Sequence, residues 1–134
     1  MANTPSPRIF FLLSLISFFC LDQFSKWFSF SKGMGVLNTG ISFGLFSSSF
    51  LTLIILLIIV GIAVLYGRTL VKNAPVISGV FFAGSLSNVA DRVLYGGVRD
   101  FLPIPFTGVH NNLADWGIVL SLGILLWRDW KKGR

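Results

Sequence analysis

Glutamate is absent from this chain. Its negative charge comes from five aspartates, set against 11 lysines and arginines, and only 12% of its 134 residues are charged. That is about half the share of a soluble domain, too little to cover a globular surface. Cysteine occurs once, at Cys20, which excludes an internal disulfide and any multi-cysteine metal site. Cys20 lies inside an apolar run and reads as a small buried hydrophobe. Histidine also occurs once, at His110, so a metal centre built from several imidazoles is excluded. No internal repeat or low-complexity tract is present.

Apolar residues fill the space left by charge. The chain is 54% hydrophobic, with a mean hydropathy of +0.79, which places it among integral membrane proteins. The pI near 10.1 invites a nucleic-acid reading, but the cations form no single patch. They fall between and after the hydrophobic runs, as membrane topology requires, so no nucleic-acid partner is expected.

Four hydrophobic segments, at residues 9–28, 50–66, 75–94 and 114–127, predict one all-α membrane domain over residues 1–134 with four transmembrane helices. Arg8 before the first run resembles the start of a signal peptide. No small-residue cleavage site follows, and the run continues past Asp22, so it reads as a retained helix. A segment of about 17 residues reaches roughly 25 Å, short of a hydrocarbon core of about 30 Å. Trp27, Trp116, Trp127 and Trp130 lie near segment ends, where interfacial aromatics make up the difference. The second segment is nearly pure Leu, Ile and Val and reads as a lipid-facing scaffold. The third carries Gly79, Ala83, Gly84, Ser85 and Ser87, small residues that let helices approach closely, which puts it at the centre of the bundle.

Orientation follows from the cations. Arg8 precedes the first segment, Arg68 and Lys72 separate the second from the third, and Arg128, Lys131, Lys132 and Arg134 follow the fourth. If all four segments span, these regions share the cytoplasmic side, together with both termini. The stretches 32–49 and 96–112 then face outward. Glycines and prolines punctuate both, and Val36, Leu37, Ile41 and Phe43 are apolar. A small extended or β element resting on the outer membrane surface is expected there.

The polar residues gather in five short stretches. Asp22 and Lys26, four apart, meet on one helix face as a structural ion pair. Asn38 and Gly40 have the spacing of a turn, with the Asn38 amide available to a substrate backbone. Asn88 and Arg92 share a helical stripe and offer several donors to a carbonyl or a lipid ester, while Asp91 orients the helix end. Asp100 follows the Gly96–Gly97 turn. Asn112 is suited to cap the fourth helix, which places Asp115 at its third position.

Asp100 and Asp115 lie close in sequence, separated by one short loop, at the edge of the apolar bundle. Ionisable groups there are costly to place and point to function. Two carboxylates at close range share a proton. The ionised one takes a proton from water while the protonated one polarises a carbonyl, as in aspartic-protease chemistry. The helix start favours the anion at Asp115, which makes Asp100 the protonated partner in this reading. A rival reading joins His110 to the two aspartates around a divalent ion; with a single histidine in a loop it is set aside, and neither metal nor cofactor is expected.

In this order and spacing the five stretches resemble the lipoprotein signal peptidase family, also called signal peptidase II. Asp22 with Lys26, the Asn38-x-Gly40-x-x-Phe43-Gly44 segment, Asn88 with Asp91 and Arg92, Asp100 with Phe101, and Asn112-x-Ala114-Asp115 match its motifs. The chain departs from them at Ile41, Ser42, Ser87, Arg99 and Asn111. The resemblance implies a multi-pass aspartic endopeptidase of the bacterial cytoplasmic (inner) membrane, acting as a monomer near the outer leaflet among membrane lipids. It would remove signal peptides from diacylglyceryl-modified prolipoproteins. Asp100 and Asp115 would be catalytic; Asn38, Gly40, Asn88, Arg92 and Asn112 would orient the substrate and the dyad. It also implies inhibition by cyclic peptide antibiotics. Two alternatives stand beside it: a small transporter or channel subunit, and a non-catalytic binder of lipidated peptides. A transporter would place its charges nearer mid-bilayer than the segment ends seen here.

Overall fold

The computed structural model describes residues 5–40 and 48–133. Four helices carry the architecture: α1 (Pro7–Ser31), α2 (Ser48–Asn73), α3 (Pro75–Tyr95) and α4 (Leu113–Lys132). Four short strands lie between them: β1 (Val36–Asn38), β2 (Val98–Asp100), β3 (Leu102–Pro103) and β4 (His110–Asn111). The motif positions Ile41, Ser42, Phe43 and Gly44 fall outside the described residues.

Each helix boundary has a local cause. Pro7 and Pro75 open α1 and α3, where a missing N–H costs nothing. Helix α1 ends in paired reverse hydrogen bonds, Gly33 N–H to Phe30 O at 3.0 Å and Met34 N–H to Ser29 O at 2.9 Å, with Gly33 left-handed at φ 69°. Helix α3 stops at Gly96, also left-handed, whose N–H donates to Arg92 O.

The helices run longer than the hydrophobic segments. They contain 25, 26, 21 and 20 residues, so even the shortest is about 30 Å long. The extension is largest where α2 continues through Arg68 and Lys72 and α4 through Arg128, Lys131 and Lys132. Lys and Arg are good helix formers, and their charge suits a helix C-terminus. Apolarity does not mark where a helix ends.

Helix α3 packs against α1, α2 and α4. Its buried residues are Ser78, Gly79, Phe81, Phe82, Ala83, Gly84, Ser85, Ser87, Asn88 and Asp91. Phe81 and Phe82 form the core with Ile59, and Phe11, Leu15 and Ile118 pack against it. At the α3–α4 crossing, a Cβ on Gly84 would come within 2.8 Å of the Ala114 carbonyl oxygen, so the two backbones touch there. Two helical stretches, Pro7–Ser31 and Leu53–Asn73, are long and apolar enough to cross a membrane, and only 11% and 6% of their apolar windows are buried. Such apolar, outward-facing helices suit lipid rather than a soluble core. Cys20 is exposed on α1, contrary to the buried position expected for it: an apolar surface facing lipid accepts a small hydrophobe as readily as a core does.

The strands form two antiparallel pairs. In the β1–β2 pair Val36 faces Asp100, Leu37 faces Arg99 and Asn38 faces Val98; in the β3–β4 pair Leu102 faces Asn111 and Pro103 faces His110. The Phe101 N–H donates to Asn111 O at 2.9 Å and ties the two ribbons together. Asn38 and Asp100 are therefore diagonal neighbours on one face of the ribbon, and Arg99 points to the other.

Gly84→Val should push the start of α4 off α3. We expect a loss of about 1–3 kcal/mol, seen as a lowered unfolding temperature in detergent, whereas Gly61→Ala, with open space around its Cβ, should leave that temperature unchanged.

Candidate active site

Asp100 ends β2 and is 2% exposed. Its Oδ1 accepts from Asn112 Nδ2 at 2.6 Å and its Oδ2 from Asn38 Nδ2 at 2.9 Å. Asp115, partly buried in the first turn of α4, accepts from Asn88 Nδ2 through Oδ1 at 2.8 Å and from the Asn112 N–H through Oδ2 at 3.2 Å. The Asn112 Oδ1 in turn accepts the Asp115 N–H at 2.9 Å, which completes a reciprocal cap at the start of α4. Asn112 thus touches both carboxylates, one through its side-chain amide and the other through its backbone. Each carboxylate has two neutral donors, and these do not rank the pair by acidity.

Asn38 is oriented in its turn. Its Oδ1 accepts the Gly40 N–H at 3.1 Å, which leaves Nδ2 directed at Asp100. The expected turn at Asn38 and Gly40 is there, and it serves Asp100 first. Gly35, at φ 113°, brings its backbone so close to β2 that a Cβ would lie 2.7 Å from Asp100 O; no L side chain suits that conformation.

Beneath the carboxylates lies a layer of buried charge. Lys26 and Asp22 are fully buried, with Lys26 Nζ 2.7 Å from Asp22 Oδ2. The same ammonium donates to Asn88 Oδ1 at 2.9 Å and lies 3.4 Å from Asp91 Oδ2. Asp22 Oδ1 accepts the Ala114 N–H at 2.8 Å, and its Oδ2 accepts from Ser87 Oγ at 2.6 Å. The pair expected on α1 alone therefore joins α1 to α3 and to the start of α4. Asp91 does more than orient its helix end: its carboxylate pairs with Arg99 at 2.8 Å. Arg92 donates to Asn88 O at 3.4 Å and lies within electrostatic reach of Asp115, Asp100 and Asp91.

Three contributors escaped the reading of the sequence. Gln23 bonds Ser87 Oγ, Asp91 and Arg99; Ser87 holds Asp22; Arg99 holds Asp91. Charge arithmetic signals the last of these. In a chain with five acids, Asp91 lacks a cation at helical spacing other than its own neighbour, and Arg99 follows across a Gly–Gly turn. Asn111 leaves its Oδ1 buried without a hydrogen-bond partner among the described residues. His110 is paired with Pro103, and no group of three His, Cys, Asp or Glu suited to a metal occurs among the described residues.

Asn112→Ala removes the cap and one donor to Asp100 together. A loss of about 1–2 kcal/mol in stability is expected from the cap, with activity reduced further than the stability loss explains. Unfolding temperature and turnover measured on the same preparation check this.

Residues 14–131 match the family model described as Signal peptidase (SPase) II. A lipoprotein signal peptidase from Anaplasma marginale (strain Florida) is 31% identical over 140 residues, covering 88% of this chain and 81% of that protein. Another, from Wigglesworthia glossinidia brevipalpis, is 32% identical over 138 residues, covering 86% of this chain and 90% of its own length. Among solved structures, a bacterial membrane enzyme determined by the in meso method at 2.3 Å resolution superposes with a TM-score of 0.76 at 21% identity, covering 92% of this chain and 88% of that one. A second, at 1.9 Å resolution, gives a TM-score of 0.70 at 22% identity, covering 88% and 90%. These two likenesses establish the fold. The sequence matches establish more: the chain belongs to the signal peptidase II family.

Proposed function

We propose that Asp100 and Asp115 form the dyad with which this aspartic endopeptidase cleaves signal peptides from prolipoproteins. Family membership gives the activity. The assignment of residues is carried by one observation, that Asn112 grips both carboxyl groups at the end of the bundle.

The chemistry needs one proton on the pair. A water held between the two carboxyl groups loses a proton to the ionised member as its oxygen attacks the scissile carbonyl carbon. The protonated member donates to the carbonyl oxygen. In the second half the tetrahedral carbon expels the amide nitrogen, which leaves with a proton from the dyad. The proton belongs to the pair, and so do its two apparent titrations. Asn88 and Asn112 orient Asp115, Asn38 and Asn112 orient Asp100, and Gly40 orients Asn38. Arg92 supplies positive charge beside the dyad. Asp22, Lys26 and Asp91 hold the frame.

This reading extends to the membrane. Helices α1 to α4 form a four-span bundle making up a single peptidase domain, with both termini and the clusters at Arg68, Lys72, Arg128, Lys131 and Lys132 on the cytoplasmic side of the bacterial inner membrane. The dyad and the strand ribbons then sit near the outer leaflet, where a diacylglyceryl-modified substrate is itself anchored. The enzyme acts as a monomer among membrane lipids, and cyclic peptide antibiotics that fill the space before the dyad compete with the substrate. The family match does not favour a transporter or channel subunit.

Purified protein in detergent should cleave a diacylglyceryl-modified prolipoprotein at undiminished rate in the presence of a strong chelator. Asp100→Asn and Asp115→Asn should each lose at least about 10³-fold in turnover, and the wild-type rate should fall on both sides of a pH maximum. Full activity in either variant would remove the dyad. Cleavage that stops with the chelator would replace it with metal chemistry.

A further inference from the structure

Strand β2 poses a mechanical problem. It has three residues, pairs among the described residues with one three-residue strand, and follows two glycines. A ribbon of that length does not hold itself, yet it ends in a carboxylate that must be placed to within a fraction of an ångström. Something else fixes it.

The residue before Asp100 supplies the anchor. Arg99 is 6% exposed and lies on the face of β2 opposite Asp100. Its backbone N–H donates to Asp91 Oδ2 at 2.9 Å, its Nε to the same oxygen at 3.3 Å, and its Nη2 to Asp91 Oδ1 at 2.8 Å. Nη2 also donates to Gln23 Oε1 at 2.6 Å, and Gln23 Nε2 donates back to Asp91 Oδ1 at 2.9 Å. The guanidinium carbon sits 4.3 Å from the centre of the Tyr95 ring. One side chain thus ties the catalytic strand to α3 through Asp91 and Tyr95 and to α1 through Gln23. A planar fork can satisfy this geometry; a point-charge ammonium satisfies only part of it.

Asp91 is also where two lines of contact meet. Through Arg99 it reaches the strand that carries Asp100. Through Lys26, at 3.4 Å, it reaches Asn88 and so Asp115. We propose that Arg99 is a positioning residue for the hydrolysis: by clamping β2 to Asp91 and Gln23 it sets the placement of Asp100 relative to Asp115. The inference rests on the dyad reading above. It also gives a role to a buried cation that hydrogen-bonds Asp91 and Gln23 rather than the dyad.

The test compares Arg99→Met, which keeps length and much of the volume, with Arg99→Lys and Gln23→Met, on the lipidated prolipoprotein in detergent. Arg99→Met should lower kcat by about 10²-fold, leave KM within about threefold, and change the spacing of the two limbs of the pH–rate profile, because that spacing reports how strongly the carboxyl groups interact. Arg99→Lys should recover roughly tenfold. A residue that merely fills space would lower the unfolding temperature and leave kcat per folded molecule and the pH profile unchanged, and that outcome overturns the proposal. Should Arg99→Met fail to accumulate, Gln23→Met decides: it leaves the Asp91–Arg99 pair intact, and a smaller fall in kcat at constant KM supports the clamp, while an unchanged kcat sinks it. An Asp115→Asn control separates the two readings. If that control is active the dyad itself is wrong; if it is inactive while all Arg99 variants match wild type, only the clamp is wrong.

Discussion

The ammonium of Lys26 has no contact with solvent, and much of the site depends on how it is satisfied. A buried cation is tolerable only when paired and fully hydrogen-bonded. Lys26 takes its partners from two helices: Asp22 on its own, Asn88 and Asp91 on α3. The consequence for Asn88 is directional. An ammonium only donates, so Asn88 turns its oxygen to Lys26 and its NH₂ to Asp115. Asp22, held by the same ammonium, accepts the Ala114 N–H one residue before Asp115. One buried charge therefore fixes both the start of the helix that carries Asp115 and the amide that holds its carboxylate.

The remainder of the architecture delivers backbone to this point. Gly84 lets α4 lie directly on α3 beside Ala114. Asn112 closes α4 with a reciprocal cap and extends a second amide to Asp100. The β1–β2 register puts Asn38 on the same face as Asp100. Each device is small, worth about 1 kcal/mol by itself. Their effect is cooperative because they share atoms: Asn112 serves two carboxylates and Asp91 serves two cations. Networks of this kind are sensitive to the removal of any one member, since a half-satisfied buried group costs more than an absent one.

What was legible in the sequence follows from the range of the interaction. The Asn112–Asp115 cap spans three residues and the Asp22–Lys26 pair spans four, distances at which helical geometry alone names the partner. The central place of α3 was legible from its small residues. The bonds from Lys26 to Asn88 and from Gln23 to Arg99 cross 62 and 76 residues. Periodicity tells which face such residues occupy, but not which helix lies opposite. Helix ends were misjudged for a related reason. Hydropathy reports where a helix is apolar, while Lys72 and Lys132 continue their helices beyond that stretch. Arg99 reads as an irregularity beside Asp100 because its partner, Asp91, is eight residues back across a glycine turn.

The buried charges also bear on the proposed Asp100–Asp115 dyad. Lys26 and Arg99 are matched by Asp22 and Asp91, two cations against two anions, all four of them nine-tenths buried or more. That layer is neutral by itself, although Lys26 lies within electrostatic reach of Asp115. Arg92 lies within electrostatic reach of Asp100 and Asp115, and of Asp91 in the layer. One guanidinium balances one carboxylate. With both aspartates ionised the upper layer would hold an excess negative charge at the edge of a low-dielectric bundle, and a bound proton removes it. A singly protonated pair is the form that the proposed hydrolysis needs, able to accept a proton from water and donate one to a carbonyl in the same step.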